Sequence, residues 1–567
     1  VVSVILAVKL KAAGHYGDTD DAMRLVMVRD LLGGQGWYDP LIRRLQPPEG
    51  LYMHWSRLLD GGLAAAMALL GAVLPAQKAE LWVRVAWPLA WIFPAVAAAL
   101  VIARNLGERS AVVLTAVLLV SNLAIYQQFV PGRIDHHNVQ IVMTLIALAG
   151  ASAVARQRLL AAVAGAATGL GLAVGLEALA FEALIGASFA LRLTLDRRAA
   201  PAAGAYGLAL ALTTATVFVL QTPPWRWSLS FCDALALNTV GALMIAGVGL
   251  WLAALAASRG AGPLRVAVLV CAGLVALLAY GVLDPACLHG PFAHVDPLVQ
   301  RLWLDRVQEV QPLWSVWRIL RDGAVQASVL LVLSAVGGFY LILRQWPSPK
   351  AELILTLVVF AAAAVMAVLV WRMMSYAFWV GLPLLGAALS RFAVRWLRNL
   401  LLPSVLIASL LSPALLGAAA TAAVKRVAPR QHEDAWRKNL QACFAPAAFR
   451  ELAALPPGRV LAPPDIGPFI LLFTPHSAMT APYHRMWRAM LSAHDALDGP
   501  PGPDEARVRA LGARYIVDCS GLALMSAAGG LDARLRQGQI PPWLRRLSPP
   551  AAPLQIYAVV GAAPPPL

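Results

Sequence analysis

Charge is scarce in this sequence. Only 13% of the 567 residues are Asp, Glu, Lys or Arg, about half the share of an ordinary soluble domain. Hydrophobic residues make up 59%, and the mean hydropathy is +0.68. Such a composition excludes disordered and collagen-like classes. Cysteine is sparse too. Five are present with no Cys-x-x-Cys pair, so no zinc ribbon or thioredoxin-like site is indicated. Acids are outnumbered, 30 against 46 Lys and Arg, for a net charge of +16. In a soluble chain that excess would suggest nucleic acid; here cytoplasmic loops absorb most of it. The reading is a polytopic α-helical membrane protein with a soluble appendage and no nucleic-acid partner.

Apolar stretches of spanning length recur near 79–103, 109–127, 137–156, 158–176, 178–195, 204–221, 237–257, 264–283, 324–343, 351–371, 375–390 and 400–423. The opening run Val1 to Val8 is too short to cross alone, since a span needs about 20 residues. It reads as the end of a first span, because Lys9 and Lys11 follow it and no small-residue cleavage site does. That makes thirteen spans. Gly61 to Pro75 is apolar but short, as suits a surface or re-entrant helix. With that segment not crossing, Arg104 and Arg109, Arg156 and Arg158, Arg197 and Arg198, Arg259 and Arg265, Arg344 and Lys350, and Arg391, Arg395 and Arg398 all share one face. By the positive-inside rule it is the cytoplasmic one. The opposite face then holds loops 12–78, 128–136 and 284–323 and the region from about 425.

From residue 425 to 567 the chain carries more charge and proline. Helical stretches Asp434–Leu440 and Asp504–Leu511 alternate with strand-like runs Arg459–Ala462, Ile470–Phe473, Arg514–Val517 and Gln555–Val560. This reads as a small α/β domain beside a membrane domain of residues 1–424. Cys443 and Cys519, both within it, suit either a disulfide or two buried thiols; Cys232 and Cys287 are a weaker pair.

Acidic residues gather in the outward loops. Asp18, Asp20 and Asp21 stand where a loop enters a helix. One carboxylate suffices to cap a helix, and three suit a divalent cation or acid–base chemistry. Pro131-Gly-Arg-Ile-Asp-His-His-Asn138 follows. Extended, it would present Asp135 and His137 on one face as half of a Mn²⁺ or Mg²⁺ site, with His136 turned away and structural; the other reading is a polar turn that caps the next span. Glu309 is a lone acid among apolar and amide residues. Arg372, just past an apolar run, suits either a phosphate contact or a snorkelling helix end. Thr474 to Arg485 is rich in hydrogen-bonding groups and reads either as a glycan contact or as a polar-edged β-hairpin.

In order and spacing, these motifs resemble those of the catalytic subunit of oligosaccharyltransferases, a C-type membrane glycosyltransferase family. Asp20 lies ten residues before Asp30 of Arg29-Asp30. Trp37-Tyr-Asp-Pro40 and His54-Trp55 follow, then Gly132-Arg-Ile-Asp-His-His137, Glu309-Val-Gln-Pro312, and Arg372 with Tyr376 and Pro383. The resemblance covers residues 12–423. It implies thirteen spans, a bacterial inner-membrane location and a periplasmic active site. It further implies a divalent metal among Asp20, Asp135, His137 and Glu309. Arg372 would contact the phosphate of a polyprenyl-linked sugar donor, with Asp20, Asp135 and Glu309 catalytic. The family's Trp-Trp-Asp-Tyr-Gly motif is replaced by Pro463-Pro-Asp-Ile-Gly467. A lipid or glycan acceptor is therefore expected in place of an Asn-x-Ser/Thr peptide. Asp465, His476, Tyr483, His484 and Arg485 are the candidate acceptor or glycan contacts. A lipid or glycan transporter, or an inactive scaffold, is the alternative reading.

Overall fold

The computed structural model describes residues 18–153, 157–260, 262–396, 401–427, 440–519, 522 and 529–561. Among them, nine helices are long and apolar enough to cross a membrane: Ala76–Leu106, Leu176–Leu195, Arg197–Gln221, Leu237–Ser258, Gly262–Leu283, Arg321–Gln345, Ala351–Leu369, Trp371–Ala393 and Leu402–Val427. Arg109–Ser121 and Leu123–Phe129, bent by 72° to each other, are a broken span or a re-entrant pair. The apolar helices His137–Ser152 and Arg158–Val174 are shorter. Together these occupy the twelve positions expected downstream of the opening run, which lies outside the described residues.

Their packing follows from side-chain size. Gly207 faces Gly247, where a Cβ would meet a carbonyl oxygen at 2.4 Å, so helices Arg197–Gln221 and Leu237–Ser258 touch backbone to backbone. Small residues permit such close approach where lipid offers no hydrophobic drive. At the bend after Ser121, the Trp379 indole N–H donates to the Ile125 carbonyl at 3.2 Å, supplying a partner where the helix is broken.

The segment after residue 18 stays outside this bundle. Helix Thr19–Leu32 is N-capped by Asp18, whose side chain accepts from the Asp20 N–H. An antiparallel pair, β1 (Leu41–Ile42) with β2 (Leu51–Tyr52), follows. Helix Arg57–Gly71, the short apolar stretch read as non-crossing, is 15 residues long. Arg24 joins it to Thr19–Leu32 through a 2.7 Å ion pair with Asp60, both side chains fully buried.

The C-terminal region forms a five-stranded mixed sheet. β3 (Arg459–Leu461) is parallel to β4 (Ser477–Ala478) and to β5 (Tyr515–Cys519). β7 (Leu554–Val559) is antiparallel to β5 and to β6 (Leu544–Arg546). Three of the expected strands are here, and β4 and β6 are additional. Ile470–Phe473 is not a strand: it ends the helix Gly467–Phe473. A short apolar run cannot choose between the two states by pattern alone. Here Pro468 sits at the helix start, where its missing N–H costs nothing. Thr474–Arg485 is no hairpin either, since Ser477–Ala478 pairs in parallel across a crossover. Helix Asp504–Ala510 matches its expectation, and residues 434–439 lie outside the described ones. Both disulfides form, Cys443–Cys519 and Cys232–Cys287.

The segment from Asp18 to Tyr52 and the sheet share one hydrophobic core, in which Met23, Val26, Met27, Ile42 and Leu45 pack with Phe469, Ile470, Val517 and Ile556. Backbone bonds seal it: the Gln46 N–H donates to the Ala478 carbonyl at 2.9 Å, and the Ala478 N–H to that of Arg44 at 2.9 Å. The Arg44 guanidinium donates to the carbonyls of Leu471, Thr474 and His476, satisfying the end of helix Gly467–Phe473. This cap fixes the C-terminal region over the first loop.

Candidate active site

A cavity of about 990 Å³ opens between the helix bundle and this outer layer. Its wall takes residues from Asp18–Asp20, Tyr52–Arg57, Gly175–Glu177, Arg226–Leu235, Leu302–Val310, Arg372 and the C-terminal region. The connections carrying Arg104 and Arg109, Arg197 and Arg198, Arg259 and Arg265, and Arg344 and Lys350 contribute nothing to it. The loops that carry the acidic motifs thus converge on one cavity, to which those basic turns do not contribute.

Asp21 is the element that docks the second acidic motif onto the first. Its Oδ1 accepts from the backbone N–H of Ile134 at 2.8 Å and of Asp135 at 3.0 Å. Arg133 pairs with Asp18 and, at 3.1 Å, with Asp21. Burial, then the nearby Asp18 and Asp135 charges, pushes the Asp21 carboxyl up to about 7 despite Arg133.

Asp135 Oδ2 lies 3.2 Å from His137 Nε2, while Oδ1 meets His136 Nδ1 at 2.5 Å. Both imidazoles therefore flank the carboxylate. The expected extended segment is not found: His136 is helical in backbone, at φ −78° and ψ −18°, and a helix starts at His137. Period-two alternation fails there, and His136 lies on the cavity wall instead of turning away. The neighbouring histidines hold Asp135 well below the usual carboxylate range against the cost of burial. Asp135 in turn raises His136 to about 10.

Glu177 was not singled out from sequence. Its Oε2 is 3.2 Å from His137 Nδ1, and its Oε1 pairs with Arg372. Arg372 Nη2 lies 3.6 Å from Glu309 Oε2, which is 3.9 Å from His137 Nε2. Glu177, Arg372, Glu309 and His137 thus form one connected network. The only sequence signal for Glu177 is an acid at the start of an apolar helix.

Asp20 faces the cavity beside this network. Burial, then the charges of Asp135, Asp18 and Glu309, raises its carboxyl well above the ordinary value. Crowded carboxylates of this kind are relieved by a cation. Asp135 Oδ2 is buried and accepts no hydrogen bond, as a metal-facing oxygen would be. Oxygen and imidazole donors together suit a divalent ion. Asp135, His136 and His137 also place ligand atoms within 4.8 Å of one another. The residues present therefore fit a divalent metal.

The C-terminal candidates divide. Asp465 lines the cavity, its carboxyl pushed up to about 6 by burial and then by Asp18. Gly467 is required beside it, since a Cβ would lie 1.9 Å from the Thr480 carbonyl oxygen. Tyr483 also lines the wall, its hydroxyl donating to the Thr19 carbonyl at 3.4 Å. His484 and Arg485 both grip Asp233, at 2.6 and 2.7 Å. His476 is fully buried away from the wall. Its Nδ1 accepts from the Gly458 N–H and its Nε2 bonds to the Leu452 carbonyl, so it joins backbone segments and contacts no cavity ligand.

No family model matches the sequence, and no curated protein matches it. Solved structures of an Archaeoglobus fulgidus oligosaccharyltransferase do resemble it. AglB in complex with an inhibitory peptide and a dolichol-phosphate is 14% identical over 99% of this chain and 74% of that one, with a TM-score of 0.63. The same organism's enzyme tethered to an acceptor peptide containing the NVT sequon is 13% identical over 98% and 74%, TM-score 0.64. Its complex with Zn and sulfate is 13% identical over 98% and 73%, TM-score 0.59. Likeness at this identity is one of fold: the chain is an α-helical multi-pass membrane protein with the architecture of C-type membrane glycosyltransferases and a small C-terminal α/β region.

Proposed function

We propose that the protein is a membrane glycosyltransferase. It moves a sugar or oligosaccharide from a polyprenyl-phosphate or polyprenyl-diphosphate donor to a lipid or glycan acceptor on the periplasmic side of a bacterial inner membrane. The observation that carries this reading is the convergence of Asp20, His136, Glu309 and Arg372, from four distant segments, on one cavity between bundle and outer layer, with Asp135 and His137 paired to them just behind its wall. The similar AglB structure holding dolichol-phosphate supports the donor class.

In this reading Arg372 binds the donor phosphate through the side of its guanidinium not held by Glu177, as Glu309 turns to the metal. Glu177 and His137 orient it from behind. Asp20, Asp135, His137 and Glu309 would hold Mn²⁺ or Mg²⁺, which when bound neutralises charge on the leaving phosphate. Asp20 orients the acceptor hydroxyl and takes its proton as the sugar's anomeric carbon passes from phosphate oxygen to acceptor oxygen.

The test uses membranes containing the full chain, a radiolabelled polyprenyl-phosphoryl sugar and native lipid extract. Transfer should fall by at least ~100-fold in Asp135→Asn and in Arg372→Gln, the scale expected when a charge-stabilising group is removed. Undiminished transfer in both variants would sink the assignment.

A further inference from the structure

A second polar cluster lines the same cavity, apart from the acids above. Tyr52 and His54 come from the first loop, Arg226 and Asp233 from the connection at 222–236, and His484 and Arg485 from the C-terminal region. Asp233 is fully engaged: Arg485 donates to both its oxygens at 2.7 Å, and His484 Nε2 reaches Oδ2 at 2.6 Å.

Arg226 lacks such an ion pair: it shares a hydrogen bond with the Tyr52 side chain, and Asp233 lies near but is already held by Arg485 and His484. Arg226 is only 8% exposed, and among the described residues no carboxylate forms an ion pair with it. Aromatic rings surround its guanidinium carbon, Tyr52 at 3.6 Å, Phe231 at 4.5 Å and Trp225 at 5.5 Å. Those rings stabilise a cation without neutralising it. His54 adds a second opening, because its Nδ1 is buried and has no hydrogen-bond partner. Its ring lies 4.6 Å from that of His484. A guanidinium held in a protein wall without a carboxylate is an anion site, since a ligand carboxylate or phosphate would make the charge-assisted bonds that the protein leaves unmade.

The site adjoins the candidate active centre. Trp55, next to His54, has its ring 6.2 Å from that of His136 and 5.3 Å from that of Tyr483. We propose that Arg226, with His54 beside it, is a subsite for an anionic group on the substrate glycan, a sugar carboxylate or a sugar phosphate. This deepens the transferase reading and names an acidic sugar as the substrate class.

Its test is binding, measured without donor, so it stands apart from transfer. Detergent-solubilised full-length protein is titrated with glucuronate, with glucose 6-phosphate and with glucose, read by tryptophan fluorescence. At least one anionic probe should bind ten-fold or more tighter than glucose, weakening as salt rises. Whether glucuronate or glucose 6-phosphate binds tighter tells carboxylate from phosphate. Arg226→Gln should abolish the preference, and Arg226→Lys should retain part of it, at unchanged thermal stability. Should Arg226→Gln fail to fold, the wild-type preference and its salt dependence decide. Equal affinity for charged and neutral probes, or a preference that survives Arg226→Gln, would overturn the proposal.

Discussion

Asp21 accepts a hydrogen bond from the backbone N–H of Asp135 at 3.0 Å, tying together two acidic motifs 114 residues apart. If Asp135 is a metal ligand as proposed, the contact would make Asp21 a positioning residue. Asp21→Ala should lower transfer by about 10–100-fold, the usual cost of losing a group that orients a metal ligand. Asp21→Asn keeps an acceptor oxygen for both N–H groups and should fall between. Apparent metal affinity, followed by Mn²⁺ titration of the purified protein, should weaken in the same order. Equal behaviour of the Ala variant and wild type would remove this role.

The buried Arg24–Asp60 pair is expected to be unforgiving. Arg24 also stacks over Trp55 at 4.5 Å, and Arg57 reaches Asp60 at 3.4 Å. Removing one member of a buried pair leaves a charge without compensation, at a cost of about 3–5 kcal/mol. Arg24→Met or Asp60→Leu alone should therefore unfold at lower temperature. The double variant should recover only part of the loss, because Arg57 still lacks its carboxylate, and thermal unfolding of all four proteins measures the coupling.

Stability should also depend on pH through Asp532. Burial, then the adjacent Asp518 charge, pushes its carboxyl up to about 8. The folded state thus holds a proton that the unfolded chain releases near pH 4. Stability is fullest below that value and falls as pH rises from about 4 to 8. Asp532→Asn should unfold at a temperature higher by roughly 3 °C at pH 8, with a flatter profile. A steeper profile would contradict the sign.

Topology is open to direct labelling. With exposed Cys271 replaced by Ser, cysteine is introduced at Glu49 or Glu108, both exposed. An impermeant thiol reagent should reach position 49 in intact cells and reach 108 only after permeabilisation. The opposite pattern would invert the membrane orientation.

The acceptor should not be an Asn-x-Ser/Thr peptide. Pro463 and Pro464 form the cavity wall beside Asp465. Proline has no side-chain donor and no backbone N–H, so Asp465 alone cannot enclose a hydroxyl in the way that gives strong discrimination. Glycosylation of a fluorescent sequon peptide by membranes containing this protein would refute the claim.

Much of this was legible from residues alone. The spans were, because lipid forces each segment to satisfy its own backbone hydrogen bonds, which makes an apolar run sufficient evidence for a helix. The acidic motifs were visible as residue types, since carboxylates crowded in outward loops of an apolar chain have few structural uses. Packing decided the rest. Whether Ile470–Phe473 became helix or strand depended on its seating against Met23 and Val26, far away in sequence. His136 joined the site because the backbone turned helical at that residue, earlier than an extended reading allowed. Glu177 and Asp233 acquired partners, Arg372 and Arg485, that lie 195 and 252 residues onward. Hydrophobic burial is a local property that composition records, whereas the pairing of two charges requires the fold to bring them within a few ångströms, and no local pattern encodes that distance.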